Sequence, residues 1–484
     1  MDKVISFIYR NLTFIIILFF IVTLNFAMLY GNSLLFYGTF FGILSSALML
    51  SLVLNKEVFY GITIFFIPLS FSLAENTGPS ISFPSELFAA ILLLYLIFNF
   101  LIQGKIDLAI WKHPITILVL LDFFWMLVTS CTSSMPMVSF KRTIIKLLYI
   151  GIYYFFSLHV FNSHTKIKKV YALYILGILY PIINTFIFHY NYNFNIAISY
   201  KMTLPFYNDH TIYGACLAFL IPFILLFVFE NKGLAKYFWI FLLGVFIIAT
   251  FLSFSRASWL SLVIIFLFYL GIRLRIKMYV VALFFLGITL IGYLSYDSLR
   301  FKFRDNKSVS NKGVGQHIES MGNINSDASN TERLNRWYCA WKMFLDKPVF
   351  GFGPGTYQFN YGPYQIKELT TRISTYKGDR GNAHSDYLGY LSENGLVGFI
   401  IYLSLIYYSI KLGLLNFYSK IYEVKKLSLV LVLSLTTYFI HGIFNSFLDI
   451  DKTMMLVLCA MAGIVAIDIN NKQLTSQNDI LLNK

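Results

Sequence analysis

Long apolar runs with almost no charge inside them follow one another along most of the 484-residue chain. A helix needs about 20 such residues to cross roughly 30 Å of hydrocarbon, and soluble domains do not carry these runs in series. A hydrophobic fraction of 58% and a charged fraction of only 13% agree with this pattern. The sequence therefore predicts an all-α integral membrane protein with about 12–14 transmembrane helices.

The predicted spans have soft boundaries, because apolar composition fixes the existence of a helix better than its ends. The first run is too long for the apolar region of a signal peptide and has no small-residue cleavage site after it, so it is predicted to be a retained span. The spans are predicted at 12–30, 33–54, 58–73, 86–103, 114–131, 143–161, 168–189, 213–230, 237–253, 258–272, 278–295, 395–411, 427–447 and 453–470.

The orientation follows from the positive charges in the short connections. Alternate connections are rich in lysine and arginine, for example Lys166, Lys168 and Lys169, and the "RLRIK" segment at 273–277. Because cytoplasmic loops retain positive charge, these connections and the N-terminus are predicted to lie in the cytoplasm. The net charge of +15 is then a consequence of topology, and nucleic acid is not indicated as a partner.

This topology predicts four regions. They are N-terminal transmembrane helices at 1–295, an extracytoplasmic loop at 296–394, C-terminal transmembrane helices at 395–470 and a cytoplasmic tail at 471–484. The long polar loop is the place where chemistry is expected, so an active site would lie on the outer face of the membrane.

The loop contains a predicted amphipathic helix at 331–346. Leu334, Trp337, Trp341 and Phe344 fall on one face at helical spacing. A tryptophan-rich helix beside membrane spans is expected to lie at the interface, with its rings at the level of the headgroups.

The "PVFGFGPGTY" segment after that helix contains Gly351, Gly353 and Gly355. A phosphate-binding glycine loop follows a strand and opens a helix, whereas this segment follows a helix. Turns are therefore favoured over a nucleotide site.

Two polar residues beside apolar runs each permit two interpretations. Arg256, in "SFSRASWL", either has an anionic partner or extends toward lipid headgroups. His384, in "GNAHSDYL", is either a solvated histidine or a base that takes a proton from an acceptor hydroxyl. The adjacent Ser385 and Asp386 do not make a catalytic triad with it, since neighbouring side chains cannot adopt that geometry.

Three segments together resemble the O-antigen ligase and polymerase superfamily: "SFSRASWL", "RLNRWYCAWKMFLDKPVFGFGPGTY" and "AHSDYLGYLSENGLVG". The resemblance covers about 235–412 and depends on the order and spacing of the motifs. Members are multi-span glycosyltransferases that use undecaprenyl-diphosphate-linked glycans. The resemblance implies that Arg256 and Arg333 engage the donor diphosphate and that His384 is the base. Arg336 lies one turn from Arg333 and is the alternative for that role.

The chemistry of the transfer agrees with this assignment. Negative charge grows on the departing diphosphate, and arginine forks suit phosphate oxygens at any working pH. No acidic cluster in the loop has metal-ligand spacing, so a metal-independent enzyme without a cofactor is predicted. A single displacement would invert the anomeric centre. The cysteines also lack the spacing of a metal site or a disulfide framework; they are Cys131, Cys216, Cys339 and Cys459.

Four further residues are predicted to line the same cavity, although a structural role explains each of them as well. Arg142 and Lys146 lie near the start of the sixth predicted span, and His441 lies toward the end of the thirteenth. Glu393 either orients His384 or caps a helix.

The sequence leaves three functions open and favours a polymerase among them, because nothing in it identifies a non-glycan acceptor domain. A polymerase would join lipid-linked repeat units on the outer face of a bacterial cytoplasmic membrane, with a lipid-linked glycan donor, a glycan acceptor and membrane lipids as its partners. A ligase would move a finished glycan to a lipid A core or another acceptor. A secondary transporter would need midplane ionisable groups and repeated halves, and the sequence shows only Asp122 as a main intramembrane acid and no internal repeat.

Overall fold

The computed structural model describes residues 55–72, 82–103, 107–194, 201–274, 328–370, 374 and 381–482. In these ranges the chain is almost entirely helical, and two short strands, β1 (Phe71–Ser72) and β2 (Ser82–Phe83), pair antiparallel. The helices are α1 (Lys56–Phe66), α2 (Ser85–Gln103), α3 (Leu108–Trp111), α4 (Pro114–Cys131), α5 (Pro136–Tyr149) with a π-helical continuation (Ile150–Phe156), α6 (Ser157–Val160), α7 (His164–Asn191), α8 (His210–Glu230), α9 (Gly233–Leu252), α10 (Arg256–Arg273), α11 (Ala328–Asp346), α12 (Tyr357–Asn360), α13 (Asp386–Phe417), α14 (Tyr422–Phe444) and α15 (Asp451–Leu482).

The prediction of an all-α membrane protein is confirmed. Within the described ranges, ten helical segments are long and apolar enough to cross a membrane. The run at 58–73 forms a shorter element than predicted, because Pro68 lies in a 3₁₀ turn at Ile67–Leu69 that ends α1. The predicted spans at 12–30, 33–54 and 278–295 lie outside the described residues.

Two helices form the interior of the bundle. In α8 and α15 nearly every side chain of the apolar stretch is buried. By contrast, α2, α9 and α10 lie at the periphery and expose large apolar side chains such as Leu94, Phe241 and Leu267. Exposed apolar faces of this kind suit contact with lipid chains and would be costly in water.

Short connections between α8, α9 and α10, and between α13, α14 and α15, place helix ends alternately at the two ends of the bundle. At one end, which we call the Glu230 end, Lys168 and Lys426 pair with Glu230 and Glu423 at 2.7–2.8 Å. At the other, which we call the His384 end, lie the first turns of α8, α10, α13 and α15. The candidate site residues lie at the His384 end.

α11 covers the predicted amphipathic helix, and its most buried face lies opposite the aromatic one. Trp341 is 46% exposed, whereas Cys339, Ala340 and Met343 are fully buried. These three pack with aromatic residues of the segment that follows, including Tyr357. On the aromatic face only Trp341 is exposed, and Leu334, Trp337 and Phe344 are partly buried, so its position at the membrane interface stays a prediction. No sequence pattern indicated that a loop covers the opposite face.

Candidate active site

The backbone of His384 is fixed on both sides. Its amide donates to Asn382 Oδ1 at 3.1 Å, and its carbonyl oxygen accepts from Trp337 Nε1 at 3.0 Å. The residue has a φ of 50°, in the left-handed region that histidine adopts more readily than most residues with a side chain. Ser385 then caps α13, with Oγ accepting from the amide of Leu388 at 3.4 Å. The backbone of His384 is therefore held in a defined position just before the N-terminus of α13.

The electrostatic surroundings keep His384 neutral. Burial first, and then the positive charges of Arg333 and Arg336, lower the pKa of His384 to about 3, while Asp209 acts in the opposite direction. At neutral pH the ring therefore has a nitrogen lone pair that can accept a proton. An anion bound beside these arginines would offset their charge and raise the pKa.

Arg336 is buried, and all three of its contacts described below are with other parts of the protein. Its Nε donates to Glu332 Oε1 at 2.7 Å, and its Nη1 donates to the carbonyl oxygen of Asn382 at 3.2 Å. The guanidinium also lies 4.4 Å from the ring centroid of Tyr361. Arg336 thus ties α11 to the segment that carries His384.

Arg333 has a different environment one turn away. Its Nε donates to the carbonyl oxygen of Phe444 at 3.3 Å, and its Nη1 lies 3.5 Å from Asn330 Oδ1. The side chain is only partly buried. Its charge acts on His384, so both groups lie within one local field.

Arg256 is the first residue of α10 and is also partly buried. The turn before it packs tightly against α8 at Gly214, where an added Cβ would lie 2.8 Å from Ser253 Oγ. The same turn accepts a hydrogen bond at the carbonyl oxygen of Ser253 from His210 Nδ1, at 2.7 Å. Asp209 caps the N-terminus of α8, and its charge acts on His384. Since the turn before α10 packs on α8 near that N-terminus, the start of α10 lies at the His384 end.

Asp386 does not orient His384. Its Oδ1 accepts from the amide of Phe447 at 3.0 Å, and its Oδ2 accepts from Tyr438 Oη at 3.0 Å. Its amide donates to the carbonyl oxygen of Asn445 at 3.0 Å. The aspartate therefore joins the first turn of α13 to the connection between α14 and α15, and it makes no triad with its neighbours.

The glycine segment forms turns, as predicted. Gly351, Gly353 and Gly355 have positive φ values of 68°, 105° and 76°. Glu393 Oε2 accepts from the amide of Gly355 at 2.9 Å, and Oε1 accepts from the amide of Tyr357 at 2.9 Å. Of the two roles considered for Glu393, the contacts correspond to a helix cap, because Tyr357 is the first residue of α12.

A cavity of about 530 Å³ lies at the His384 end. Its lining includes Arg142, Lys146 and Glu393, and also Ala383 and Asp386, which flank His384 along the chain. Three of the four secondary candidates therefore meet in one space.

The two basic candidates in this cavity carry carboxylate partners. Arg142 forms an ion pair with Asp449. Lys146 Nζ lies 2.9 Å from Asp122 Oδ2, and Tyr390 Oη donates to the other oxygen of Asp122. The intramembrane acid is thus neutralised by a partly buried lysine.

His441, the fourth secondary candidate, is buried in α14. Its Nε2 lies 3.1 Å from Asn445 Nδ2, and its ring is near that of Phe447, with centroids 5.7 Å apart. It is not among the described residues that line the cavity.

The sequence did not indicate Asp209, Asp449 and Tyr390 as site residues. Each of them interacts with a residue far away in the chain: His384, Arg142 and Asp122, respectively. A helix N-cap pattern at Asp209 was the only local signal. In the part of the chain that the structure describes, no group of three or more His, Cys, Asp and Glu side chains is placed to hold a metal ion.

Comparison with known proteins gives one family. Residues 239–403 match the family model described as O-antigen ligase. The matched segment contains Arg256, Arg333, His384 and Glu393, whereas Arg142 and His441 fall outside it. No curated protein shows a sequence match to the chain.

Proposed function

From the membership of residues 239–403 in the O-antigen ligase and polymerase superfamily, we propose that the protein is a polysaccharide polymerase. It transfers a glycan from an undecaprenyl-diphosphate-linked donor to a hydroxyl group of a glycan acceptor. The observation that carries the proposal is the position of His384, whose backbone is held by Asn382 and Trp337 before the first turn of α13. The charges of Arg333 and Arg336 act on its imidazole. Such an arrangement joins a proton acceptor to a binding region for anions.

Arg256 and Arg333 bind the donor diphosphate in this proposal. Both lie at the His384 end and are partly exposed, so their guanidinium groups can reach a ligand. Arg336 acts as a positioning residue instead, because its contacts hold Glu332 and Asn382. As the glycosidic oxygen leaves with the diphosphate, the two guanidinium groups stabilise the growing negative charge.

His384 takes the proton of the attacking hydroxyl. The hydroxyl oxygen forms the new bond to the anomeric carbon, while the bond from that carbon to the phosphate oxygen breaks and its electron pair leaves with the diphosphate. A single displacement of this kind inverts the anomeric centre. The arginines supply the charge stabilisation, so the transfer is proposed to be metal-independent.

The protein is proposed to lie in the bacterial cytoplasmic membrane with its N-terminus in the cytoplasm and its site on the outer face. Lys166, Lys168 and Lys426 gather at the Glu230 end, which supports a cytoplasmic position for that end. The opposite, His384 end then faces outward.

A ligase is the second candidate, because the matching family is described as O-antigen ligase and the match supports both activities equally. A ligase would use the same arginines and histidine and would differ only in its acceptor. The ion pair between Asp122 and Lys146 argues against the transporter, because the main intramembrane acid is already neutralised.

The test uses protein purified in detergent with a lipid-diphosphate-linked repeat unit and a chelator present throughout. Products are resolved by size, and their anomeric configuration is determined by NMR. We expect a ladder of longer lipid-linked glycans that is lost in folded His384→Ala, Arg256→Ala and Arg333→Ala variants. Transfer only to an added lipid A core or another acceptor would identify a ligase. No transfer to any acceptor would refute both enzymes.

A further inference from the structure

The cavity is lined by residues next to His384 in the chain and not by the arginines assigned to the diphosphate. Its described lining includes Asn382 and Ala383 before the histidine, and Asp386 and Gly389 after it. Arg256 and Arg333 are not among those lining residues. The described lining thus comes from the residues on both sides of His384 in the chain, and His384 itself is not part of it.

The charges that line this chamber are nearly balanced. Four basic and five acidic side chains are present among the described lining residues: Lys141, Arg142, Lys146 and Lys452, and Glu86, Asp386, Glu393, Asp449 and Asp451. An arrangement of this kind differs from an anion site, in which positive charge is in excess.

Three of the basic side chains already have acidic partners. Arg142 pairs with Asp449, and Lys146 pairs with Asp122. Lys452 Nζ lies 3.7 Å from Asp451 Oδ1 and donates to Ser70 Oγ at 2.9 Å. A carboxylate or phosphate entering the chamber would have to compete with these partners, whereas a hydroxyl group can hydrogen-bond to a paired charge without separating it.

Aromatic side chains complete the lining. Tyr149, Tyr207, Tyr357 and Tyr390 contribute to it. Tyrosine combines an apolar ring with a polar hydroxyl group and therefore suits a ligand that has apolar ring faces and polar edges. A pyranose ring has this character, and the volume of about 530 Å³ lies within the range of small-ligand sites, roughly 300–1,000 Å³.

We infer that this chamber binds the uncharged sugar residues of the acceptor glycan, and that the Arg142–Asp449 pair makes it select neutral sugars over acidic ones. The inference rests on the proposed transfer to a glycan hydroxyl. A sugar in the chamber lies beside the segment that carries His384, so its hydroxyl group can approach the imidazole while the diphosphate stays with the arginines.

The selectivity follows from the charge of the pair. Arg142 and Asp449 belong to different elements, α5 and the connection before α15, and their side chains are 31% and 38% exposed. Asp449→Asn would remove the ion-pair partner of Arg142, leave Glu393 and Asp386 as the remaining carboxylates that act on its charge, and favour an acidic sugar. Arg142→Gln added to Asp449→Asn would remove both charges and restore the neutral balance.

The test measures binding without a donor. Full-length protein in detergent is titrated calorimetrically with a panel of neutral trisaccharides and with matched trisaccharides in which one sugar is a uronic acid. We expect wild type to prefer the neutral form, and Asp449→Asn to shift the ratio of affinities toward the acidic form by about tenfold. The double variant should return the ratio to that of wild type.

Glu57→Gln is the matched control. Lys166 and Glu57 pair at 2.7 Å with side-chain exposures of 28% and 40%, close to those of the Arg142–Asp449 pair, and they lie at the Glu230 end. This variant should leave the ratio unchanged.

Two results would overturn the inference: no binding of any neutral trisaccharide, or a preference that Asp449→Asn does not move. Neither depends on catalysis, because no donor is present. Binding of neutral sugars as described, without transfer to any acceptor, would support the binding site and refute the proposed function.

Discussion

At the scale of single residues, Arg333 and Arg336 are one helical turn apart but differ in burial and partners. Arg336 and Glu332 are 5% and 4% exposed and form an ion pair at 2.7 Å, with Ser374 donating to the other oxygen of Glu332. A buried pair that loses one partner leaves an uncompensated charge, which costs about 3–5 kcal/mol.

We therefore expect Arg336→Ala to lower the unfolding temperature in detergent strongly, whereas Arg333→Ala should unfold close to wild type and lose transfer activity. Adding Glu332→Gln to Arg336→Ala should restore part of the lost stability, because the buried charge is then removed. A stable Arg336→Ala protein with normal activity would contradict the structural role.

The protonation of His384 gives a second prediction at this scale. Its pKa is lowered from 6.5 to about 3 in the folded protein. Between pH 6.5 and about 3 the folded state therefore binds fewer protons than the unfolded state. The stability that the neutral ring contributes is complete above that pH and is lost as the pH falls toward 3.

In ¹³C-histidine NMR, the signal of His384, assigned with His384→Gln, should not titrate between pH 8 and 5. In Arg333→Gln its pKa should rise, because one of the two positive charges that lower it is gone. A wild-type signal that titrates near pH 6.5 would refute the neutral base.

At the scale of elements, the break within α13 allows this helix to contact the segment that directly follows α11. Gly395 has a φ of 66° and a ψ of −171° inside the helix, and a Cβ there would lie 2.1 Å from the carbonyl oxygen of Val349. The amide of Leu396 donates to the carbonyl oxygen of Pro348 at 2.8 Å. The glycine thus allows the backbone of the loop to contact the helix directly.

Gly395→Ala is expected to destabilise the protein by more than about 2 kcal/mol, because the methyl group meets backbone and the left-handed conformation is strained. Gly244→Ala in α9 is the control, since a Cβ there meets nothing within 4 Å. The measurement is thermal unfolding in detergent. Equal unfolding temperatures for the two variants would show that the close contact is not required.

The elements also show what the sequence could and could not predict. Apolar runs identified the spanning helices, because helix formation in lipid depends on local composition. The same runs placed a span at 395–411, whereas α13 begins at Asp386, since Ser385 caps a first turn that is partly polar. The partners of Glu393 and Arg336 come from distant segments, so no local pattern could indicate them.

At the scale of the whole molecule, the two ends of the bundle differ in charge and structure. The Glu230 end holds a network of lysines and glutamates, whereas the His384 end holds the cavity and the predicted catalytic groups. Orientation decides which of these ends meets the lipid-linked donor. The proposed transfer on the outer face requires the His384 end to face outward. The lysines at the Glu230 end agree with this orientation, because cytoplasmic loops retain positive charge.

Single cysteines can test this orientation in intact cells. Native Cys131 is exposed and is first replaced by serine. Glu368→Cys, in an exposed turn between α12 and α13, should then react with an impermeant maleimide from outside, whereas Lys420→Cys, between α13 and α14, should react only after permeabilisation. Both should react in detergent, which controls for exposure. The reverse pattern would place the His384 end in the cytoplasm and would remove the basis for transfer on the outer face.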